Sequence, residues 1–575
     1  MINAEIAKIF SEMALLLEMD DVAFKPRAFE KASLSLGSLD EDVRDIYQKG
    51  GLKALEKIPD VGGGIAERIE EYVKTHRIRD YDRMKKKVPV DLGGLKSVEG
   101  VGPKTIRILW QKLKIRTLQD LEKAAAAGKL RSIPGLGAKT EENILEGIEF
   151  VKESGGRFLL GEAWPLANDI ERRLAKIPGV AVAVVAGSIR RMKETIGDID
   201  VLVVSRQPEP VMEYFVGMPE VAHVYAKGDT KTLVRLKNGL DADLRVVPKE
   251  SFGAALNYFT GSKDHNVALR EIAIKKGLKL NEYGLFRGKR RVAGRTEEDL
   301  YKALGLSYIE PELRENRGEI EASRAGKLPK RLVGYGDLRG DLQVQTDWTD
   351  GENSIEEMAA AAAKAGLAYI CITDHTKSLA MTGGADEKKL EKQMREIDRI
   401  NRTFSIQHSA FSILKGAEVN ILADGSLDIA DRTLAKLDCV GVAVHSHFKM
   451  SRAAMTRRII RAMENPHADI LFHPTGRLIN RRPAYDVDMD AVIKVAKRTG
   501  TILEIDASPE RLDLKDEYIR KCVVGRVPMV IDSDAHAANG FGALRYGIAQ
   551  ARRGWAEREL ILNTRSVVDF LKMLA

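Results

Sequence analysis

Three aspartates in two short apolar segments have the residue type and spacing to bind metal ions. Asp198 and Asp200 begin DIDVLVV, and Asp243 lies in DADLRVV. Because side chains alternate along a strand, Asp198 and Asp200 share one face, and Asp243 can project to the same point from a neighbouring strand. Convergent carboxylates repel one another unless a cation separates them, and Mg²⁺ prefers such oxygen ligands. The pattern predicts a site for two Mg²⁺ or Mn²⁺ ions, although an isolated Asp-x-Asp pair more often marks a solvated strand end.

A Gly-Ser turn before these acids favours the metal site over the solvated strand end. Gly187 and Ser188 offer backbone amides and a hydroxyl, and Arg190 and Arg191 offer planar guanidinium groups. Groups of these kinds bind the oxygens of a triphosphate. A triphosphate is therefore the expected ligand next to the metals.

Four β-branched segments after residue 157 are predicted to form the strands that position these acids. They alternate with helical segments, a pattern that favours one mixed sheet. The predicted strands cover residues 180–187, 198–204, 231–237 and 241–247.

Three glycine-containing turns punctuate the helical first 150 residues, at 58–69, 98–109 and 133–145. Each precedes an amphipathic helix, so its glycines expose the amides of a helix N-terminus, which can bind a phosphate. One copy is equally consistent with a packing device, but three copies in a basic chain predict sequence-independent contact with a nucleic-acid backbone. The turns resemble the helix-hairpin-helix motifs of DNA repair proteins. The expected DNA-binding residues are Gly62, Gly64, Gly100, Gly102, Lys104, Gly135, Gly137 and Lys139.

The composition indicates a multidomain chain with a polyanionic partner. The 575 residues are 44% hydrophobic and 31% charged, and no apolar run approaches the ~20 residues of a membrane span. A net charge of +8 and a pI near 9.0 fit a nucleic-acid partner. The widely spaced Cys371, Cys439 and Cys522 predict buried thiols rather than disulfides or a zinc site. We therefore expect a cytoplasmic protein.

Residues 1 to about 320 resemble the family X DNA polymerases in the order of helical repeats, palm and thumb. The similarity is carried by GSIRR with GDIDVLV, by DLRVVPKESFGAALNYFTGSKDHN and by TEEDLYKALGLSYIEPELRE. The resemblance implies that Asp198, Asp200 and Asp243 are the metal-binding and catalytic acids. It places Arg157, Gly187, Ser188, Arg191 and Gly197 at the incoming triphosphate, Tyr258, Phe259 and Gly261 at the sugar, and Asn266 and Arg270 at the nascent base pair.

The reaction implied by the resemblance is attack of a primer 3′-hydroxyl on the α-phosphate of a dNTP, with pyrophosphate leaving. One metal lowers the pKa of the attacking hydroxyl and the other steadies the leaving oxygens. Asp243 acts either as a ligand alone or also as the proton acceptor. The implied partners are gapped or primer-template DNA and dNTPs, with no membrane partner. The implied protein is a monomer that acts in DNA repair, including base excision repair.

Two positions depart from several relatives in that family. Lys263 stands where they carry an acid or a small polar group, and a cation there could bind the nucleotide before metal or template is arranged. Asp241 adds a fourth carboxylate two residues before Asp243. It either shifts the metal preference towards Mn²⁺ or points into solvent.

Some relatives also remove a 5′-deoxyribose phosphate through a lysine Schiff base, and the corresponding residues differ here. Alignment of IPDVGGGIAERI puts Arg68 at the nucleophile position and Gly64 at a phosphate-binding lysine. Arginine stays protonated and cannot act as an amine nucleophile at neutral pH. Lys25 and Lys31 are weaker substitutes, so we expect little or no lyase activity.

Potential metal ligands recur after residue 340, at the ends of five apolar strands with the sequences ITDH, KGAEVNI, VHSHF, FHPTGR and IDSDAH. Strands that alternate with helices favour a β/α barrel whose ligands gather at the strand ends. Residues 336–575 resemble a polymerase and histidinol phosphatase (PHP) domain. The resemblance implies metal binding by Asp350, His375, Glu418, His445, His473, Asp534 and His536.

Gln343 and Gln345 stand where the PHP domain normally has two histidines. A glutamine amide is a weaker ligand for transition metals than an imidazole. We therefore expect a partly occupied Mn²⁺ or Zn²⁺ cluster and a weakened or inactive 3′-exonuclease.

The predicted fold class is multidomain α/β, with a helix-hairpin-helix N-terminal region, a nucleotidyltransferase-type mixed-sheet palm with a thumb, and a distorted C-terminal β/α barrel. A charge-rich and glycine-rich stretch at 315–340 indicates a linker before the barrel. The expected domains are 1–85, helical, DNA-binding and lyase-like; 86–155, fingers-like; 156–250, palm; 251–320, thumb; 321–335, linker; and 336–575, PHP.

The favoured function is a DNA-directed DNA polymerase that fills short gaps. One alternative is a DNA-binding protein with a vestigial polymerase, in which the barrel is the working metallophosphoesterase. The intact acids and the missing barrel histidines both argue against it. Template-independent nucleotide addition is a further alternative, against which Asn266 and Arg270 argue.

Overall fold

A computed structural model describes residues 2–574 apart from 21, 23, 24, 38, 40, 99, 154, 155 and 408–410. The chain forms two compact units, Met1–Arg157 with Leu478–Pro483 and Phe158–Arg477 with Ala484–Ala575. None of the helices in the described parts is both long and apolar enough to cross a membrane. The three cysteines are buried free thiols, as predicted.

The first unit is helical and has two apolar cores, one around Phe10, Leu36 and Ile69 and the other around Leu95 and Leu109. Its helices are α1 Asn3–Met19, α2 Lys25–Gly37, α3 Val43–Gly50, α4 Leu52–Leu55, α5 Gly63–Thr75, α6 Arg79–Lys87, α7 Leu92–Lys96, α8 Pro103–Leu113, α9 Leu118–Ala126 and α10 Ala138–Glu153. In the longer helices the apolar residues recur at helical spacing and face a core, whereas α6 has no buried residue and only packs Tyr81 and Met84 against the cores.

The second unit begins with the mixed sheet that the β-branched segments predict. Its elements are β1 Phe158–Leu159, α11 Leu160–Ala175, β2 Val180–Val185, α12 Gly187–Arg190, β3 Thr195–Ile196, β4 Asp198–Ser205, α13 Pro208–Val216, β5 Val221–Lys227, β6 Lys231–Leu236 and β7 Asp241–Val247. The strand order is β2-β4-β7-β6-β5, in which only β4 and β7 run parallel. The palm prediction is confirmed as a fold, and β5 is an edge strand that was not predicted.

A small helical region with a three-stranded sheet follows the palm. Its elements are α14 Phe252–Thr260, α15 Lys263–Lys275, β8 Lys279–Asn281, β9 Gly284–Arg287, β10 Arg290–Ala293, α16 Glu297–Leu304 and α17 Glu319–Arg324. Its core contains Leu269, Leu300 and Tyr301, together with Trp555 from the barrel region.

The stretch 315–340, which its charge and glycine content mark as a linker, contains secondary structure at its N-terminal end. It contains α17, and Glu319 within α17 is fully buried. The Glu319 carboxylate accepts hydrogen bonds from His265 Nδ1 at 2.6 Å and from the Asn316 amide at 2.8 Å. The charges that suggested a solvated linker are therefore partly used in buried polar contacts.

The barrel consists of seven parallel strands in sequence order, alternating with helices. Its elements are β11 Gly340–Val344, α18 Ile355–Lys364, β12 Tyr369–Ile372, α19 Glu387–Gln407, β13 Ser412–Asn420, α20 Asp431–Leu434, β14 Cys439–Ala443, α21 Arg452–Met463, β15 Ile470–Leu471, α22 Met489–Thr499, β16 Ile502–Asp506, α23 Asp516–Gly525, β17 Met529–Asp532, α24 Leu544–Arg553 and α25 Val567–Leu574. A parallel bridge between Val344 and Ala535 brings the last strand back to the first. The predicted barrel is confirmed in a nearly closed form.

Candidate functional site

The register of two parallel strands brings the palm aspartates together. Asp198 on β4 is level with Asp241 on β7, and Asp200 is level with Asp243. The intervening Ile199 is fully buried on the other face of the sheet. Since alternate residues of a strand share a face, four carboxylates lie on two adjacent rungs of one surface.

The crowded carboxylates perturb one another's ionisation. Burial, followed by the charges of Asp198 and Asp243, raises the pKa of Asp200 to about 7, against the opposing effect of Arg191 and Arg245. The buried Asp243 Oδ1 accepts no hydrogen bond from any described residue. These oxygen donors fit a divalent cation, which would offset the repulsion.

Asp241, the fourth carboxylate, is paired with a cation of its own. Its Oδ1 lies 2.7 Å from Arg235 Nε, on the neighbouring strand β6. Asp243 has weaker ion pairs, at 3.3 Å with Lys231 Nζ and at 3.7 Å with Arg245 Nε. Asp241 therefore carries less uncompensated charge than the three acids expected to bind metal.

The turn at Gly187 contacts the Asp200 carboxylate so closely that only glycine fits. Gly187 has φ +63°, and a Cβ there would lie 2.1 Å from Asp200 Oδ2. The Ala186 amide donates to the Asp200 carbonyl at 2.8 Å, which fixes the turn on β4. Ser188 Oγ is buried and has no hydrogen-bond partner among the described residues. The turn therefore leaves an unused hydroxyl directly after the glycine that lies against Asp200.

The two arginines of the turn have different surroundings. Arg190 donates from Nη2 to Glu297 Oε2 at 2.7 Å and from Nη1 to the Thr260 hydroxyl at 2.7 Å. Both terminal nitrogens of its guanidinium therefore bond within the protein. Arg191 Nε donates to Glu315 Oε1 at 3.1 Å, and its Nη1 donates to the Thr260 carbonyl. The buried Glu297 pairs with Arg190 and also with the fully buried Arg314, and phosphate binding by Arg190 and Arg191 stays a prediction.

The remaining predicted nucleotide residues flank the junction of α14 and α15. A Cβ at Gly261, where φ is +72°, would lie 2.9 Å from Arg191 Nη1. Asn266 Nδ2 donates to the Tyr258 carbonyl at 2.7 Å, and both residues line a small cavity with Arg270. Phe259 lies under the Arg245 guanidinium, 4.6 Å from its carbon to the ring centroid.

Three predicted residues lie outside these contacts. Gly197 is exposed just before β4, and Lys263 is exposed at the start of α15. Arg157 belongs to the first unit, where its carbonyl accepts from Asn480 Nδ2 at 2.8 Å. Its role at the triphosphate stays a prediction.

The three glycine turns share a backbone pattern. Gly62 and Gly102 are the N-cap residues of α5 and α8, and Gly137 directly precedes α10. Two residues before these glycines, Asp60, Gly100 and Gly135 all have positive φ. Gly64, Lys104 and Lys139 lie in the first helical turns, where Lys139 Nζ is 3.2 Å from Glu142. Repeated exposed helix N-termini suit contacts with phosphates.

Arg68, at the expected lyase nucleophile, is held by neighbouring groups. Its Nη1 donates to the Gly64 carbonyl at 2.5 Å, and its Nη2 pairs with Asp80. Its guanidinium also lies 5.6 Å from the Phe29 ring centroid. These contacts support a structural role for Arg68.

Glu418 is the centre of the polar cluster in the barrel. Its Oε1 lies 2.9 Å from His445 Nε2 and 2.8 Å from His473 Nε2, and its Oε2 lies 3.4 Å from His375 Nδ1. Burial would raise the pKa of Glu418, but His375 and His445 lower it well below its usual value. A carboxylate that bridges several imidazoles is suited to bridging metal ions.

Two groups of possible metal ligands converge in the described part of the barrel. They are Asp350 with His375 and His536, and His375 with Glu418 and His445, and the donor atoms of each lie within 4.8 Å of one another. Mixed imidazole and carboxylate donors fit Mn²⁺ or Zn²⁺.

Two expected ligands, His473 and Asp534, do not belong to either group. Arg511 Nε lies 3.7 Å from Asp534 Oδ2 and 3.3 Å from Asp506 Oδ2. Burial and then the charge of Asp534 raise the pKa of Asp506 well above its usual value, although Arg511 lowers it. Arg511 therefore offsets only part of the negative charge around Asp534 and Asp506.

The two glutamines of the barrel, Gln343 and Gln345, have different surroundings. Gln345 Nε2 donates to Glu418 Oε2 at 2.8 Å, whereas neither polar atom of the fully buried Gln343 has a partner among the described residues. These neutral amides are weaker ligands for a transition metal than the imidazoles expected at their positions. Arg511 and Asp506 were not predicted as site residues, although ILEIDASPER presents both at a strand end.

Four family models match the chain. A helix-hairpin-helix domain matches residues 1–78, and a SAM-like helix-hairpin-helix tandem matches 93–149. The DNA polymerase beta thumb matches 255–315, and the PHP domain matches 341–500. The matches follow the helical unit, the region after the palm and the barrel.

Curated relatives cover both halves of this arrangement. A probable phosphatase of Syntrophotalea carbinolica is 30% identical over 38% of this chain and 90% of its own length. DNA polymerase lambda of Rattus norvegicus is 29% identical over 54% of this chain and 56% of its own length. DNA polymerase/3′-5′ exonuclease PolX of Bacillus subtilis is 36% identical over 99% of both chains. With that full-length similarity, the chain belongs to the family X DNA polymerases that carry a PHP domain.

Proposed function

We propose that this DNA-directed DNA polymerase fills short gaps in DNA by two-metal nucleotidyl transfer. The observation that carries the proposal is the register that sets Asp198, Asp200 and Asp243 on one face beside the Gly187 turn. Divalent cations on these acids would activate the primer hydroxyl and stabilise the charge on the phosphates.

The chain's own groups have separate tasks in this scheme. Asp243 is the candidate acceptor of the primer hydroxyl proton. Ser188 Oγ, which has no partner among the described residues, and the Arg191 guanidinium bind the triphosphate. The α14–α15 junction holds the sugar at Tyr258, Phe259 and Gly261 and the base pair at Asn266 and Arg270, with Lys263 at the nucleotide.

The helical unit would hold the DNA backbone through its three glycine turns. The exposed N-termini of α5 and α8, after Gly62 and Gly102, support this assignment. We retain the expected boundaries near residues 85, 155, 250, 320 and 335 as proposals. We also propose that the protein works as a cytoplasmic monomer, with gapped or primer-template DNA and dNTPs as its partners.

The barrel is proposed to be a weakened 3′-exonuclease. Two ligand groups around His375 support metal binding. Gln343 and Gln345 stand where two imidazole ligands are expected, and Arg511 lies beside the expected ligand Asp534. A multi-metal phosphoesterase uses its metals jointly, so loss of one position costs more activity than binding. The barrel as the sole working enzyme is therefore not favoured.

Primer extension on a one-nucleotide gapped duplex, with each dNTP tested separately, tests the polymerase proposal. We expect Asp200→Asn to reduce extension at least about a hundredfold, since it removes a central metal ligand. Asp241→Asn makes the same change at a carboxylate paired with Arg235, and extension should stay within about threefold of the parent. Binding of gapped DNA should be unchanged in both. Robust extension by Asp200→Asn would contradict the assignment.

A further inference from the structure

The triphosphate turn of the palm, residues 187–194, is hydrogen-bonded to the barrel at two points. Arg553, the last residue of α24, donates from Nη1 to the Arg191 carbonyl at 2.9 Å. Arg477, which follows β15, donates from Nη2 to Glu194 Oε2 at 2.9 Å. Both the middle and the end of the turn are therefore held by barrel guanidinium groups.

Arg553 also contacts the side-chain partner of Arg191. Its Nη1 donates to Glu315 Oε1 at 3.0 Å, the same oxygen that accepts from Arg191 Nε at 3.1 Å. Its Nη2 donates to Asp516 Oδ2 at 2.7 Å. One guanidinium thus fixes the backbone of Arg191 and the carboxylate that orients its side chain.

The cluster is buried enough for these contacts to be strong. Only 3% of the Arg553 side chain and 13% of the Arg191 side chain are exposed. Burial would raise the pKa of Glu315, but Arg553 and then Arg191 lower it. Removal of one partner from a buried ion cluster leaves the other charge uncompensated, which is far more costly than at a surface pair.

We propose that Arg553 is a positioning residue for nucleotide binding, through which the barrel holds the triphosphate turn and Arg191. The inference rests on the proposed role of Arg191 at the triphosphate. Arg553 does not act on the substrate itself, and Arg477 gives the turn a second, weaker anchor at Glu194.

Charge balance explains how Arg553 would change nucleotide affinity. Arg553 shares the negative charge of Glu315 with Arg191, so Arg191 keeps positive potential for the phosphates. Without Arg553, Glu315 would be neutralised chiefly by Arg191, and the freed carbonyl would let the turn move. Both changes weaken binding of the triphosphate more than binding of DNA.

The test compares Arg553→Met with Arg552→Met in full-length protein on gapped DNA. Arg552 is the adjacent residue, and it pairs with Glu312 Oε1 at 2.7 Å without contacting the turn. We expect Arg553→Met to raise the KM for dNTP by about 5- to 30-fold, the scale of a lost charge-assisted contact, with a smaller change in kcat. Arg552→Met should leave this KM near the parental value, and the apparent affinity for DNA should be unchanged in both.

Further variants keep the test decisive if Arg553→Met folds poorly. Arg553→Lys retains a charge but not the fork that reaches three acceptors, so it should restore only part of the nucleotide affinity. Arg477→Met should raise the KM for dNTP by less than Arg553→Met does. A parent without extension would overturn the polymerase proposal itself. An active parent in which Arg553→Met and Arg552→Met have equal KM values for dNTP would overturn only the role of Arg553.

Discussion

The palm acids and the barrel cluster are both candidate sites for divalent cations, but they are assembled differently. In the palm, Asp200 and Asp243 are level on adjacent parallel strands, so one register sets their spacing. In the barrel, His375, Glu418 and His473 come from the ends of separate strands. Even with Gln343 and Gln345 in place of two histidines, two groups of donors still converge.

This difference shows how each site tolerates change. A site set by one strand register and one tight turn is disturbed as a whole when either element shifts, because Gly187 lies directly against the Asp200 carboxylate. A site assembled from the ends of many strands can lose one ligand while the other ligands stay in place. We therefore expect single substitutions in the palm site to abolish polymerase activity, and single substitutions in the barrel cluster to change exonuclease activity only in part.

The largest effect is expected from Gly187→Ala in the palm. The new Cβ would lie 2.1 Å from Asp200 Oδ2, and φ at this position is +63°. We expect gap filling to fall at least about a hundredfold, since displacement of the turn by a fraction of an ångström disturbs both metal and triphosphate contacts. Extension assays with the purified variant measure this loss.

Gly239→Ala is a control that separates the effect of the clash with Asp200 from the effect of backbone strain at a positive φ. Gly239 also has positive φ, +94°, but its nearest neighbour would be Phe158 Cζ at 3.7 Å. Its stability should fall by ~1–2 kcal/mol while extension stays within about threefold of the parent. Equal losses in the two variants would show that strain, and not contact with Asp200, accounts for the effect.

The second prediction concerns restoration of the barrel. The double variant Gln343→His with Gln345→His should gain Mn²⁺-dependent 3′-exonuclease activity of about 10- to 100-fold, together with bound metal measured by elemental analysis. The gain should be incomplete, because Arg511 still lies beside Asp534. Robust exonuclease in the parent chain that is lost in His473→Ala would show that the glutamines are tolerated.

The smallest effect is expected from Lys263→Asp. Charge reversal should weaken binary dNTP binding by ~1–2 kcal/mol, the scale of one charge-assisted contact. Calorimetry without DNA measures this affinity. Lys275→Asp makes the same change at the opposite end of α15 and should have no comparable effect. Unchanged affinity in Lys263→Asp would leave Lys263 as a surface charge.

Local sequence patterns predict much of this fold. The segments 198–204 and 241–247 match β4 and β7 closely, since alternation of apolar residues reports a half-buried strand directly. The barrel could be predicted because ligands follow apolar strands at repeated intervals. The helix-hairpin-helix turns could be located because glycine marks helix starts and positive φ.

Contacts between distant residues could not be predicted from those patterns. Glu319 looks like a linker residue until His265 is placed beside it, 54 positions earlier in the chain. Arg511 and Arg553 are ordinary surface charges by local sequence, and their burial depends on packing between elements. Periodicity identifies which face of a strand is buried, but it does not identify the partner of a buried charge.

The contact between Arg553 and Arg191 joins residues 362 positions apart. At a translation rate of about 5–20 residues per second, the ribosome makes Arg553 about 20 to 70 seconds after the triphosphate turn. The palm acids and their turn therefore exist in the nascent chain well before Arg553. On the proposed role of Arg553, we expect the growing polypeptide to bind nucleotide weakly until the barrel has been made.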